Sequence, residues 1–161
     1  MTFIFTLQSS GNAGRVLDGN GEYIAIVPIG YDNESGDVFS IFTAFSPSGG
    51  DGPREYEFIF KVTRANSTFE SVVDYWDGLE TVSVFPLKSQ RQLVFTELCD
   101  MLRALISLAN PIRLTMMTHT SNLPKKALLK FQKLAIVMRE EGFDARRVAS
   151  MNGSHMWIGI R

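Results

Sequence analysis

The residues best suited to chemistry in this chain are Thr118-His119-Thr120-Ser121-Asn122, with Lys125 and Lys126 just beyond them. They join an apolar run that reads as a strand, Ile112 to Thr118, to one that reads as a helix, Leu123 to about Glu141. A polar loop between a strand's C-terminal end and a helix N-terminus is where α/β sheets bind ligands. Free N–H groups and the helix dipole favour an anion there. Hydroxyls, an imidazole and two ammonium groups add donors, so the corner is a candidate phosphate or carboxylate site. The same residues also fit a plain structural role, with Asn122 as helix cap, the hydroxyls satisfying the turn and His119 solvated. The stretch lacks the Gly-rich loop that phosphate cradles usually need.

The second candidate is the helix itself. Lys125, Lys126, Lys130 and Lys133 read as one Lys face, extended by Arg146 and Arg147. Phe131, Leu134, Ala135 and Met138 make an apolar core face, with Leu128 at its margin. Leu129 and Ile136 fall on a third side, a spare apolar strip for the neighbouring hairpin or for a partner. Residues 1–110 hold seven Lys/Arg and fourteen Asp/Glu, net −7; residues 111–161 hold nine and three, net +6. That split inside a chain of net charge −1 suggests that one end meets something anionic. An acidic protein partner and nucleic acid both fit, as does a solvated face neutralised within the fold. Nucleic-acid binding would want aromatics or Arg interleaved with the lysines. Only Phe131 is close, and it points coreward.

Other chemistry is thin. His119 and His155 lie 36 residues apart, with neither Cys nearby nor zinc-site spacing, so no metal and no cofactor is expected. Pairing of the last strand beside Ile112–Thr118 would bring the two rings near each other. Cys99, between Leu98 and Leu102, reads as a buried small hydrophobe. No Ser sits in a G-x-S-x-G elbow. Asp18-Gly19-Asn20-Gly21-Glu22 and Asp32-Asn33-Glu34-Ser35-Gly36-Asp37 read as solvated hairpin turns, lacking the spacing of a calcium loop. Asp74, Asp77 and Glu80 cluster in sequence without a cleft to define them. No residue is assigned a catalytic role.

At 161 residues, 45% hydrophobic and 20% charged, the chain fits one domain that buries its own core. Residues 1–65 read as mainly β and 66–161 as mixed. A lone cysteine excludes an internal disulfide. The N-terminus shows no signal-peptide pattern, and no apolar window approaches the roughly 20 residues needed to span a bilayer. The expected location is the cytoplasm, of a cell or of an infected host.

The elements that must position these residues begin with an antiparallel meander: Thr2 to Gln8, Glu22 to Ile29, Asp37 to Phe45 and Glu55 to Thr63. Asp18-Gly19-Asn20-Gly21 is a hairpin-turn signal, and the Ser46–Pro53 loop lies inside the meander. A helix is expected over Thr68 to Asp77 from the capping-box pattern Ser67-Thr68-Phe69-Glu70, and a strand over Thr81 to Leu87. A second capping-box pattern, Ser89 to Gln92, starts the longest helix, which ends at Asn110-Pro111. Asn122 and Pro124 open the last helix and Gly142 stops it. Ala145 to Met151 and His155 to Ile160 should pair across Asn152-Gly153. The expected fold is α+β: an N-terminal antiparallel β-meander followed by a β-α-β-α-ββ unit, a mixed sheet with helices on one face. The expected function is non-catalytic partner binding, of the inhibitor, immunity, antitoxin or accessory-regulator type familiar in bacteria and phages. A nucleic-acid-associated module on the same Lys/Arg face, and an anion-binding domain or enzyme at Thr118–Asn122, are the alternatives.

Overall fold

A computed structural model describes residues 3–7, 15–19, 21–49, 52–66, 68, 70–75, 78–118, 123, 125–148 and 153–161. It shows an α+β fold. The elements run β1 (Phe3–Phe5), β2 (Arg15–Gly19), β3 (Glu22–Asp32), β4 (Val38–Pro47), β5 (Glu55–Ala65), β6 (Val72–Tyr75), α1 (Gly78–Val84), α2 (Lys88–Ala109), β7 (Arg113–Met117), α3 (Lys125–Glu140), β8 (Asp144–Val148) and β9 (Met156–Ile160). The nine strands among the described residues join one sheet in the order β1-β3-β4-β5-β7-β9-β8, with β2 also on β3 and β6 also on β5.

The meander β3–β4–β5 is the spine. Its strands alternate strictly enough to have two distinct faces. Tyr23, Ala25 and Val27 pair with Phe45, Thr43 and Ile41, which pair in turn with Phe58, Phe60 and Val62. That face is covered by the helices. The opposite face turns Ile26 and Met117 outward. Gly19↔Glu22 registers a two-residue turn between β2 and β3, with Gly21 at φ +77°. Strand β2 carries only two apolar residues in five, and so lacks the periodicity that reveals its neighbours.

The second half departs from expectation at two adjacent elements. Residues 72–75, expected in a helix, form strand β6, which pairs with the Val62–Ala65 end of β5. Residues 78–84, whose C-terminal part was expected as a strand, form helix α1. The open edge of β5 offers ladder hydrogen bonds that a four-residue Val-rich segment takes in preference to an isolated turn of helix. Ser67, Phe69, Trp76 and Asp77 lie outside the described residues. The longest helix also starts without the expected box: Leu87 is its N-cap and makes no side-chain cap bond.

From β5 the chain passes through β6, α1 and α2 before returning as β7, parallel to β5 through Glu55↔Arg113. Asn110 ends α2 in the left-handed conformation, its N–H on the Ile106 carbonyl. Helix α3 ends in a Schellman motif: Gly142 (φ +91°) donates to Arg139 O, and Phe143 N–H reaches Met138 O at 3.0 Å. Strand β9 then inserts between β7 and β8, antiparallel to both. One buried cluster joins both halves, with Phe39, Phe45, Leu102, Leu114, Leu134 and Trp157 among its members. No helix among the described residues is long and apolar enough to cross a membrane.

Candidate functional site

Strand β5 serves two partners along one edge. Residues 55–57 pair with β7 and residues 62–65 with β6. Residues 58–61 between them have no strand partner on that edge among the described residues. A half-open cavity of about 170 Å³ lies against this gap on the helix-covered face. Phe60 and Val62 of β5, Tyr75 at the end of β6, and Val94, Phe95 and Leu98 of α2 supply its apolar wall. Its polar groups come from Thr81 of α1, Arg91 of α2 and Lys130 of α3. Lys61 also borders it, but the Lys61 ammonium is drawn to the opposite face, 2.6 Å from Asp74 Oδ2 and 5.0 Å from the Phe42 ring.

Arg91 stands in the first turn of α2, a turn without an acidic side chain. Its Nη1 donates to the carbonyls of Phe85 (2.7 Å) and Pro86 (2.6 Å), which ties the α1–α2 connection to the helix start. Lys130 holds its ammonium 5.5 Å from the Phe60 ring and 5.4 Å from the Phe131 ring. Phe60 meets Phe131 at 5.3 Å, and Phe131 meets Trp157 at 5.0 Å. A run of rings and cations therefore leads from the cavity across the sheet to Arg147, 5.7 Å from the Trp157 ring. Trp157 packs on the helix above it, as a strand Trp commonly does.

Among the described side chains, the basic residues singled out in the sequence divide between more than one surface. On α3, Lys126 and Lys133 fall about 60° and 40° from the Leu129 line, Lys125 about 40° on its other side, and Lys130 about 100° away. Lys125 and Lys133 are exposed, with Lys133 5.5 Å from the Phe95 ring, whereas Lys130 is half-buried against the cavity. The side chain of Lys126 lies outside the described ones. Arg146 and Arg147 are consecutive in β8 and so point to opposite faces of the sheet. Leu129 and Ile136 are 51% and 47% exposed, so the hairpin does not cover them. Glu140, four residues beyond Ile136 on α3, is held at 2.8 Å by Arg103 of α2.

Of the corner after β7, only Thr118 is described; His119, Thr120, Ser121 and Asn122 lie outside the described residues. Thr118 is buried, and its hydroxyl accepts the His155 N–H at 2.8 Å. The Thr118 N–H donates to the His155 carbonyl at 2.9 Å. The His155 ring meets the Arg147 guanidinium through Nδ1. Among the described residues no three His, Cys, Asp or Glu side chains gather as metal ligands. The Asp32–Asp37 turn closes on itself through Gly36 N–H to Asp32 O, and Arg64 takes Asp37 at 2.6 Å. Cys99 is buried, and burial pushes its thiol up to about 11.

Nothing in the linear sequence flags the cavity. Its wall is assembled from β4, β5, β6, α1, α2 and α3, each giving one to four ordinary residues. Comparison with protein-family models, curated proteins and solved structures finds no match to this chain.

Proposed function

We propose that the protein is a non-catalytic partner-binding protein, of the inhibitor, immunity, antitoxin or accessory-regulator type. It docks an acidic, partly apolar protein surface on the outward stripe of α3. The observation that carries this reading is the exposure of Leu129 and Ile136, seven residues apart, on a helix whose other apolar faces are buried. Single exposed apolar residues are ordinary on any surface. Two on one stripe, flanked by Lys125 and Lys133, make a short amphipathic ridge of the kind that anchors a helix or groove. The net charge of +6 over residues 111–161 supports an acidic partner, since complementary potential raises association rates and rejects cationic competitors.

Nucleic acid is less well served by the same cations. Phe131 and Trp157 are stacked in the core rather than offered to bases, and Arg146 and Arg147 diverge. Affinity capture of the tagged chain from lysate of its own source, with and without nuclease, separates the two. A stoichiometric acidic protein that survives nuclease, and is lost when Leu129 and Ile136 are both changed to Ser, is the expected result. Loss of all captured material on nuclease treatment contradicts the protein-partner reading and moves the function to nucleic acid.

A further inference from the structure

We infer that the sheet face opposite the helices docks a second copy of this chain, in a symmetric sheet-on-sheet dimer. The α3 stripe lies on the other side of the sheet, so either docking surface can fail without the other.

A sheet with one face in water alternates apolar and polar residues along its strands. Strand β9 does not. Met156, Ile158 and Ile160 face away from the helices, while Trp157 and Gly159 are buried beneath them. Strand β3 likewise turns Ile24, Ile26 and Pro28 to this side, in alternation with the buried Ala25 and Val27. The register carries the pattern across the strands. Ile24 pairs with Ala44, and Ala44 with Ile59. Met117, two residues past Thr115 on the same face, pairs with Met156, and Met156 with Val148. An apolar row thus crosses the sheet from β3 to β8. Ile26 and Met117 are 40% exposed and Ile160 is 48% exposed. The helices among the described residues pack on the other face. Apolar surface of this extent on an open sheet marks an interface.

The area suits a dimer. The strands β3, β4, β5, β7, β9 and β8, about 4.8 Å apart with about seven residues of about 3.3 Å in each, make a face of about 700 Å². A stable complex buries about 800 Å² a side. Two such faces stack as aligned sheets do, about 10 Å apart and turned by about 30°.

Charge selects a second copy as the occupant. In a closed dimer a two-fold axis makes each contact occur twice. An axis along the strands, through the junction of β5 and β7, lays β3 over the second copy's β8, β4 over its β9 and β5 over its β7. Within the apolar row the small Ala44 then meets the long side chain of Met156, and Ile24 meets Val148. In the next row Ser46 pairs with Glu57, Glu57 with Thr115, Thr115 with Ile158 and Ile158 with Arg146. The Ser46 hydroxyl donates to Glu22 Oε1 at 2.9 Å, which fixes that carboxylate at the β3 end of the row. Glu22 and Arg146 therefore sit at opposite ends within one chain, and the two-fold sets Glu22 of one copy over Arg146 of the other. Glu55 and Arg113, 3.7 Å apart beside the axis, form a square of alternating charge with their counterparts. The face matches itself in sign, whereas a strongly acidic or basic partner meets like charge at one end.

The test is sedimentation of the purified full chain from about 1 to about 200 µM, a range that brackets micromolar dimers. The expected species has twice the 18.0 kDa of one chain. Ile26→Lys with Met117→Lys, at two exposed positions of the face, is expected to give a monomer with a native circular dichroism spectrum. Glu22→Arg and Arg146→Glu are each expected to weaken the dimer about tenfold, and the two together to restore it, because the swapped pair meets only across copies. A monomer at every concentration overturns the second copy as occupant. A dimer that survives the Ile26, Met117 double change in a natively folded chain overturns the face as the interface. Failure of the double swap to restore association overturns the two-fold arrangement.

Discussion

Phe131 of α3 lies flat on Trp157 of β9, ring centroids 5.0 Å apart and planes 10° from parallel. This contact sets the rotation of α3 about its own axis. With Phe131, Leu134 and Met138 turned to the sheet, Leu129 and Ile136 have no choice but to face away. Exposure of the stripe is therefore a consequence of core packing and not of a loosely held helix. Phe131→Ala removes a buried ring and leaves a cavity above Trp157, and is expected to cost about 3–5 kcal/mol. Leu129→Ala, on the outer face, is expected to cost less than about 0.5 kcal/mol. Chemical denaturation of the two variants measures the contrast, and equal losses would mean that α3 is rotated differently.

Arg161 ties together the ends of two helices. Its Nη2 donates to the Glu141 carbonyl at 2.7 Å past α3, and its Nη1 to Asn110 Oδ1 at 3.0 Å past α2. The guanidinium also lies 4.7 Å from the Phe143 ring. A cation at two helix C-termini answers both dipoles. Arg161→Ala is expected to cost about 1 kcal/mol, kept small because the side chain is exposed. Arg161→Lys should recover little, since one ammonium cannot reach two acceptors so far apart. Denaturation midpoints of the two variants, expected to coincide, decide this.

The long meander was legible because clusters of turn-forming residues separate the three apolar runs that make β3, β4 and β5. Helix α3 and the final hairpin were legible for a different reason: Gly142 and Gly153 both take positive φ, at the stop and the turn where their residue type demanded it. Residues 72–84 were misread because short β-branched runs satisfy either period. Val72 and Val73 fit a helical face as well as a strand, and the unpaired end of β5, which no local pattern encodes, decided the matter. Helix α1 then carries the chain from the sheet edge to the start of α2, and Phe85, just before Pro86, is buried in the core. The cavity was invisible for the same reason, since its gap exists only once β6 and β7 both claim β5.

Cys99 should be chemically silent in the native chain. Burial raises its thiol to about 11, against about 9 for the same group in water. Below about pH 9 both folded and unfolded states keep the proton, and the residue adds no pH dependence. Between about 9 and about 11 the unfolded chain releases it first, so the stability associated with the neutral thiol declines as pH rises. The difference in denaturation midpoint between the native chain and Cys99→Ala is expected to shrink from pH 8 to pH 10. Modification by a thiol reagent at pH 7.5 is expected only after denaturation.

The outward stripe of α3 is tested most directly by the affinity of the captured partner for a Leu129→Ser, Ile136→Ser, Lys133→Glu variant, measured by calorimetry beside the native chain. The account predicts at least a hundredfold weaker binding with the melting temperature within a few degrees of native, because all three side chains are exposed. Unchanged affinity in a natively folded variant would contradict it and remove α3 from the interface.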